Sequence, residues 1–345
     1  MRQPKFLAAL LAASVLAGCG GSDNAPQFSS LVSFGDSLSD IGTYSVGSVK
    51  AMGGGKYTIN APDSKNWIEL MAPKLNLSAP CQAQTGLDGD PTQGFSVPGA
   101  KFTACTAYAQ GGARVTNPVG PGNKALGGAN AVLGQLTVPV VTQIQNHLTA
   151  KGGSFSGNDV VFVMAGGNDV FIQMATVGAG GDATASVNAM GVAGAELAGY
   201  VKSLIVGKGA KFVVVVNLPD VSKTPFAFAQ SAQAQGLINT MVTTFNTQLQ
   251  QGLSSVDVAL VDAYTVSRDQ NANPAKYGIT NTATPACDLS PAKNPLGSSL
   301  VCTKANLIPG IVDNYQFADT VHPTPFGYKL LADLVSAEMG KRGWL

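Results

Sequence analysis

Unbroken apolar runs alternate along this chain with stretches in which apolar residues return every three or four positions. Residues 30–34, 159–165, 211–216 and 258–261 are runs rich in Val, Leu and Phe, each stopped by Gly, Asn or Asp. Runs of that kind predict strands buried on both faces of a sheet. Helical spacing marks residues 67–75, 140–148, roughly 185–206, 231–251 and 328–339. The alternation predicts an α/β fold, a three-layer α/β/α sandwich around a central, mostly parallel sheet. Ligands in such sheets gather beyond the carboxyl ends of the strands. Ser37 follows the first run and Asn168 the second, so both are expected at one edge. Residues 166–169 read as a turn, and 178–181 as a flexible loop. Residues 43–62, 81–105 and 265–315 are expected to be long loops that shape an acyl pocket.

The N-terminus follows a different logic. Arg2 and Lys5 precede an apolar run over residues 6–16, followed by Leu16-Ala17-Gly18-Cys19. This is a secretory signal, too short to span a bilayer. No later stretch reads as long and apolar enough to cross a membrane. Leu-Ala-Gly-Cys resembles a bacterial lipoprotein signal, which implies cleavage before Cys19 and lipidation there. Residues 1–18 are then a signal peptide and 19–28 a flexible, Gly- and Ser-containing tether. Residues 29–345 form a single domain. Several acyl chains would anchor it stably in the cell envelope, and Gly20 resembles the residue found in lipoproteins sorted to the outer membrane.

Export changes how the cysteines read. Setting Cys19 aside leaves Cys81, Cys105, Cys287 and Cys302, an even number that suggests disulfides. Three pairings are possible; the local one, Cys81–Cys105 with Cys287–Cys302, is expected. Each bridge would staple a Gly-, Pro- and Asn-rich loop at about 3 kcal/mol. No C-x-x-C and no nearby histidine supports a metal site, and no cofactor is expected. Without Arg2 and Lys5, the 21 basic side chains fall to 19 against 20 acidic ones. So neutral a surface, with no basic run, argues against nucleic acid as a partner. A monomer is expected.

Candidate chemistry is sparse. Ser37 lies in Ser33-Phe34-Gly35-Asp36-Ser37-Leu38-Ser39-Asp40, where a helix cap would explain Asp and Ser equally well. The chain has only two histidines. His322 follows Asp319 by three residues, close enough for a carboxylate to fix its tautomer. His147, at the end of the 140–148 helix, reads as a cap. Gly166-Gly167-Asn168-Asp169 offers an amide that can donate to developing negative charge. Tyr108-Ala109-Gln110-Gly111-Gly112-Ala113-Arg114 offers glycines that permit close backbone approach. No serine stands in the Gly-x-Ser-x-Gly elbow of α/β-hydrolases.

Taken in this order, the four segments resemble the SGNH hydrolases, also called the GDSL esterase/lipase family, from Phe34 to Gly327. The resemblance implies that Ser37 is the nucleophile and that Asp319 and His322 complete a triad. It also implies an oxyanion hole from the N–H groups of Ser37 and Gly112 and the Asn168 amide, with Gly111 a close competitor of Gly112. An acyl ester is then the substrate, a lipid or short-chain ester. The alternatives are an O-acetylesterase acting on glycans and a ligand-binding lipoprotein without activity.

Overall fold

The computed structural model describes residues 26–345. The signal segment, Cys19 and residues 19–25 of the tether lie outside the described residues. Strands are β1 (Ser30–Gly35), β2 (Gln84–Asp88), β3 (Ser96–Lys101), β4 (Asp159–Met164), β5 (Phe212–Val216) and β6 (Ala259–Val261). Helices in the first half are α1 (Gly47–Ala51), α2 (Trp67–Lys74), α3 (Gly128–Leu133), α4 (Val140–Ala150) and α5 (Gly167–Gly178). In the second half they are α6 (Ala183–Tyr200), α7 (Pro225–Phe228), α8 (Ala232–Leu253), α9 (Ala263–Ala272) and α10 (Pro325–Lys341).

The four apolar runs form one parallel sheet in the order β1-β4-β5-β6. Successive side chains of a strand face opposite sides, so each run must bury both faces, and it does. Val161, Val163, Val213 and Val215 pack with residues of α4, α6 and α8. Val160, Phe162, Val214 and Val216 pack on the other side with Trp67 of α2 and Tyr328 of α10. This is the α/β/α sandwich expected.

Three local expectations need correction. Residues 166–169 are not a bare turn, because they open α5, which Gly166 precedes in a left-handed conformation at φ 115°. The 81–105 loop contains the antiparallel hairpin β2–β3, and residues 263–272 are helical. The short polar strands and the small helix lack a long apolar period, so pattern alone could not find them. By length and hydropathy, Ala183–Lys208 does qualify as a membrane span. It is instead the helix layer of a core, with Met190, Leu197 and Ala198 buried against the sheet side and α8.

Beyond the sheet edge, residues 44–57, 87–95 and 296–301 build a separate cluster around Tyr44, Tyr57, Phe95 and Leu300. Disulfides join Cys81 to Cys105 and Cys287 to Cys302, the local pairing.

His147 does not cap its helix. It is buried, stacked on Phe155 at 4.4 Å and edge-on to Phe34 and Tyr108, with neither ring nitrogen hydrogen-bonded. Burial pushes its pKa down to about 4, with Lys151 acting in the same direction and Asp159 against it. The unfolded chain therefore binds a proton here between the ordinary value, about 6.5, and about 4, where the folded chain does not. Stability should fall with pH across that window, by about 3 kcal/mol from this group at pH 4. His147→Phe removes the penalty, so its gain in stability over wild type should grow on acidification from pH 7 to pH 5. Urea denaturation at both values tests this; a constant difference would refute it.

Candidate active site

The carboxyl ends of β1 and β4 deliver the two halves of the site. The β1 register places Gly35 opposite Met164, so close that a Cβ on Gly35 would lie 2.2 Å from the Met164 carbonyl oxygen. The chain turns there, and Ser37 follows. At the end of β4, α5 begins at Gly167 and presents Asn168 from its first turn. The outer edge of β1 carries a further segment: Ser33 N–H donates to Thr106 O, Tyr108 N–H to Ser33 O and Gln110 N–H to Gly35 O. That pairing brings residues 110–114 beside Ser37.

His322 arrives on the loop that precedes α10. Its Nε2 lies 2.8 Å from Ser37 Oγ, and its Nδ1 lies 2.8 Å from Asp319 Oδ2. The spacing of three expected from sequence thus becomes a direct contact. Asp319 is buried and also accepts N–H bonds from Ser299, Val321 and His322. Burial alone would raise its pKa, but His322 and these donors together hold it well below the usual carboxylate range. The Tyr57 ring lies over the imidazole with centroids 4.7 Å apart, a face that favours positive charge.

Gly111 and Gly112 are no longer equivalent. Gly111 N–H donates to Asp40 Oδ2 at 2.9 Å, whereas Gly112 N–H has no acceptor among the described residues. Gly112 sits at φ 77°, and a Cβ there would come within 2.2 Å of Pro121 O, so only glycine fits. Asn168 Nδ2 uses one hydrogen on Ala113 O, at 2.8 Å. Its second hydrogen remains for a ligand.

Sequence reasoning passed over the carboxylates that hold these donors in place. Asp40, four residues from the start of its own turn at Asp36, accepts from Gly42, Thr43 and Gly111 N–H groups. Asp169 accepts from Val115 N–H and from Arg114 Nε at 2.8 Å. Both are buried, and burial raises both pKa values, Asp40 to about 6. Asp36 is buried too and is pushed up to about 7, its Leu38 N–H contact opposing the shift. Asp40 and Asp169 were visible beside the quoted motifs. Nothing in a linear sequence says that they clasp residues 111–115 from two sides.

Ser37, Gly112, Asn168 and His322 line one cleft of about 1050 Å³. Met52 and Tyr57, Phe95, and Leu296 also line it, from the segments 43–62, 81–105 and 265–315 respectively. Chemically, the arrangement offers a hydroxyl, an imidazole to take its proton and a carboxylate to orient the imidazole. Gly112 and Asn168, each with a donor hydrogen left unspent among the described residues, line the same space. Among the described residues no cluster of His, Cys, Asp and Glu could hold a metal ion.

A family model described as GDSL-like lipase/acylhydrolase matches residues 31–335. The chain belongs to that family. A GDSL esterase/lipase of Arabidopsis thaliana is 28% identical over 127 residues, 34% of each chain. The match thus spans about a third of that curated relative. Among solved structures, an α/β hydrolase enzyme from the metagenome of Lake Arreo, Spain, aligns over 90% of this chain and 94% of its own, with 14% identity and a TM-score of 0.43. An acetyl-xylooligosaccharide esterase variant from Geobacillus stearmophilus aligns over 90% and 94%, with 14% identity and a TM-score of 0.42. In this GDSL-like chain the motif that gives the family its name is Gly35-Asp36-Ser37-Leu38, at the turn described above.

Proposed function

We propose that the protein hydrolyses carboxylic acyl esters through an acyl-enzyme on Ser37. The observation that carries this is the unbroken contact from Ser37 Oγ through His322 to Asp319 at 2.8 Å per step. His322 Nε2 takes the hydroxyl proton as Oγ bonds to the ester carbonyl carbon. The resulting oxyanion is held by the N–H groups of Ser37 and Gly112 and by Asn168 Nδ2. As the C–O bond to the alcohol breaks, His322 returns the proton to the leaving oxygen. Water then repeats the sequence on the acyl-enzyme, releasing the acid and restoring Ser37.

One oxyanion donor supports about 3–4 kcal/mol of barrier lowering. Asn168→Ala should therefore lose about two to three orders of magnitude in kcat while KM changes little. A chromogenic short-chain ester assay on the soluble domain measures it. An unchanged kcat would remove Asn168 from the mechanism.

The same proposal extends to location. The protein is exported, cleaved before Cys19 and lipid-anchored at the cell envelope, at the outer membrane, as a monomer. Leu16-Ala17-Gly18-Cys19 supports the cleavage and the anchor, and Gly20 the outer membrane. Cys19→Ser should move the protein from the membrane to the soluble fraction, and recovery of that variant in the membrane would refute the anchor.

A further inference from the structure

A second cavity also reaches the catalytic residues. It is narrower, about 120 Å³, and shares Ser37, Asn168 and His322 with the large cleft. Leu331 and Leu334 of α10, Val266 of α9 and Leu218 form its apolar wall, and Phe171 of α5 lines both spaces. Several of the polar side chains along it are paired, while Gln316 Oε1 has no partner and Lys223 also lines it. Asp220 pairs with Arg268 at 2.7 Å and accepts from the Ser222 hydroxyl, and Gln316 donates to Gln270 at 3.0 Å. What the wall offers a ligand is therefore mainly contact with hydrocarbon.

Hydrolysis through an acyl-enzyme is asymmetric about the nucleophile. The alcohol must leave and water must replace it beside His322, while the acyl group stays bonded to Ser37. The large cleft has room for that exchange, and the narrow cavity suits the part that stays. Resting on the ester-hydrolase reading above, we infer that the cavity between α9 and α10 holds the acyl chain and that the large cleft holds the alcohol. A cavity of about 150 Å³ accepts benzene, so this one accommodates a chain of about five carbons. The large cleft sets Met52, Phe95 and Leu133 beside the amides of Gln93, Asn130 and Gln230. That mixture fits a bulky alcohol with both apolar and hydroxyl-bearing faces. The substrate class is accordingly a short-chain acyl ester of such an alcohol, and not a long-chain fatty acyl ester.

The test is a series of 4-nitrophenyl esters from acetate to dodecanoate, with Ser37→Ala as the control for enzymatic turnover. Wild-type kcat/KM should peak at about four to six carbons and fall about tenfold or more by ten. Leu331→Trp, which narrows the cavity, should lower the hexanoate-to-acetate ratio about tenfold. Leu334→Ala, which widens it, should raise octanoate relative to butanoate. Both readouts are ratios within one preparation, so partial unfolding cannot imitate them. A wild-type peak at ten carbons or more, or a profile unmoved by Leu331→Trp, overturns the assignment while leaving ester hydrolysis standing. If no ester is turned over above the Ser37→Ala background, the hydrolase reading falls and this one with it.

Discussion

Replacing Ser37 by Ala should lower kcat on a short-chain ester by about six orders of magnitude, and His322→Ala should cost nearly the same. In the mechanism proposed above the two act as a unit. The hydroxyl is a weak nucleophile until its proton has a destination, and the only imidazole within reach is 2.8 Å away. Without the base the serine stays protonated, and without the serine the base has nothing to deprotonate. The double variant should therefore be no slower than either single one, each leaving the residual catalysis of the oxyanion donors and of binding. Ser37→Ala should leave the fold intact, since His322 Nδ1 is still held by Asp319 and Tyr57 still covers the ring. Steady-state kinetics on purified single and double variants decide the matter. Retention of more than about 1% of kcat by Ser37→Ala would end the serine mechanism.

The parts of this molecule that were legible in the sequence are those set by local chemistry or by a short period. Four strands had to be buried on both faces, and Val-rich runs say so directly. His322 could be paired with Asp319 because three residues separate them on a turn, and Ser37 and Asn168 because strand order fixes which edge they share. The hairpin β2–β3 was not legible, because Gly86 and Gly99 interrupt any alternation. Nor was the pairing of residues 106–110 with β1, which needs knowledge of which strand has a free edge. His147 misled for a related reason: a histidine near a helix end is an ordinary cap until the helix proves to turn that face toward Phe34, Tyr108 and Phe155. The difference between Gly111 and Gly112 lies in the Gly111 N–H bond to Asp40, a residue 71 positions away. Long-range hydrogen bonds of that kind leave no trace in spacing.

Asp319→Asn should reduce kcat by about four orders of magnitude, and unlike Ser37→Ala it should also destabilise the fold. The carboxylate accepts from three backbone N–H groups, Ser299 at Oδ2 and Val321 and His322 at Oδ1, and His322 Nδ1 lies within 2.9 Å of both its oxygens. An asparagine has only one acceptor atom, so its amide nitrogen must face either the pair at Oδ1 or the pair at Oδ2. Facing Oδ2, it opposes Ser299 N–H and offers His322 Nδ1 a donor, which favours the tautomer with its proton on Nε2, where it cannot take another from Ser37. Facing Oδ1, it sets two donors against the backbone N–H groups of the histidine loop. Either way a buried donor is left without an acceptor, costing about 1–3 kcal/mol. The pH dependence separates this from simple loss of packing. Asp319 has its pKa held well below the ordinary value, so its stabilisation is complete above about pH 4 and is lost as pH falls below it. The stability gap between wild type and Asp319→Asn should thus be constant from pH 5 to 8 and close below pH 4. Denaturation midpoints across that range measure it, and a gap that persists undiminished at pH 3 would show that the ionised carboxylate does not hold the loop.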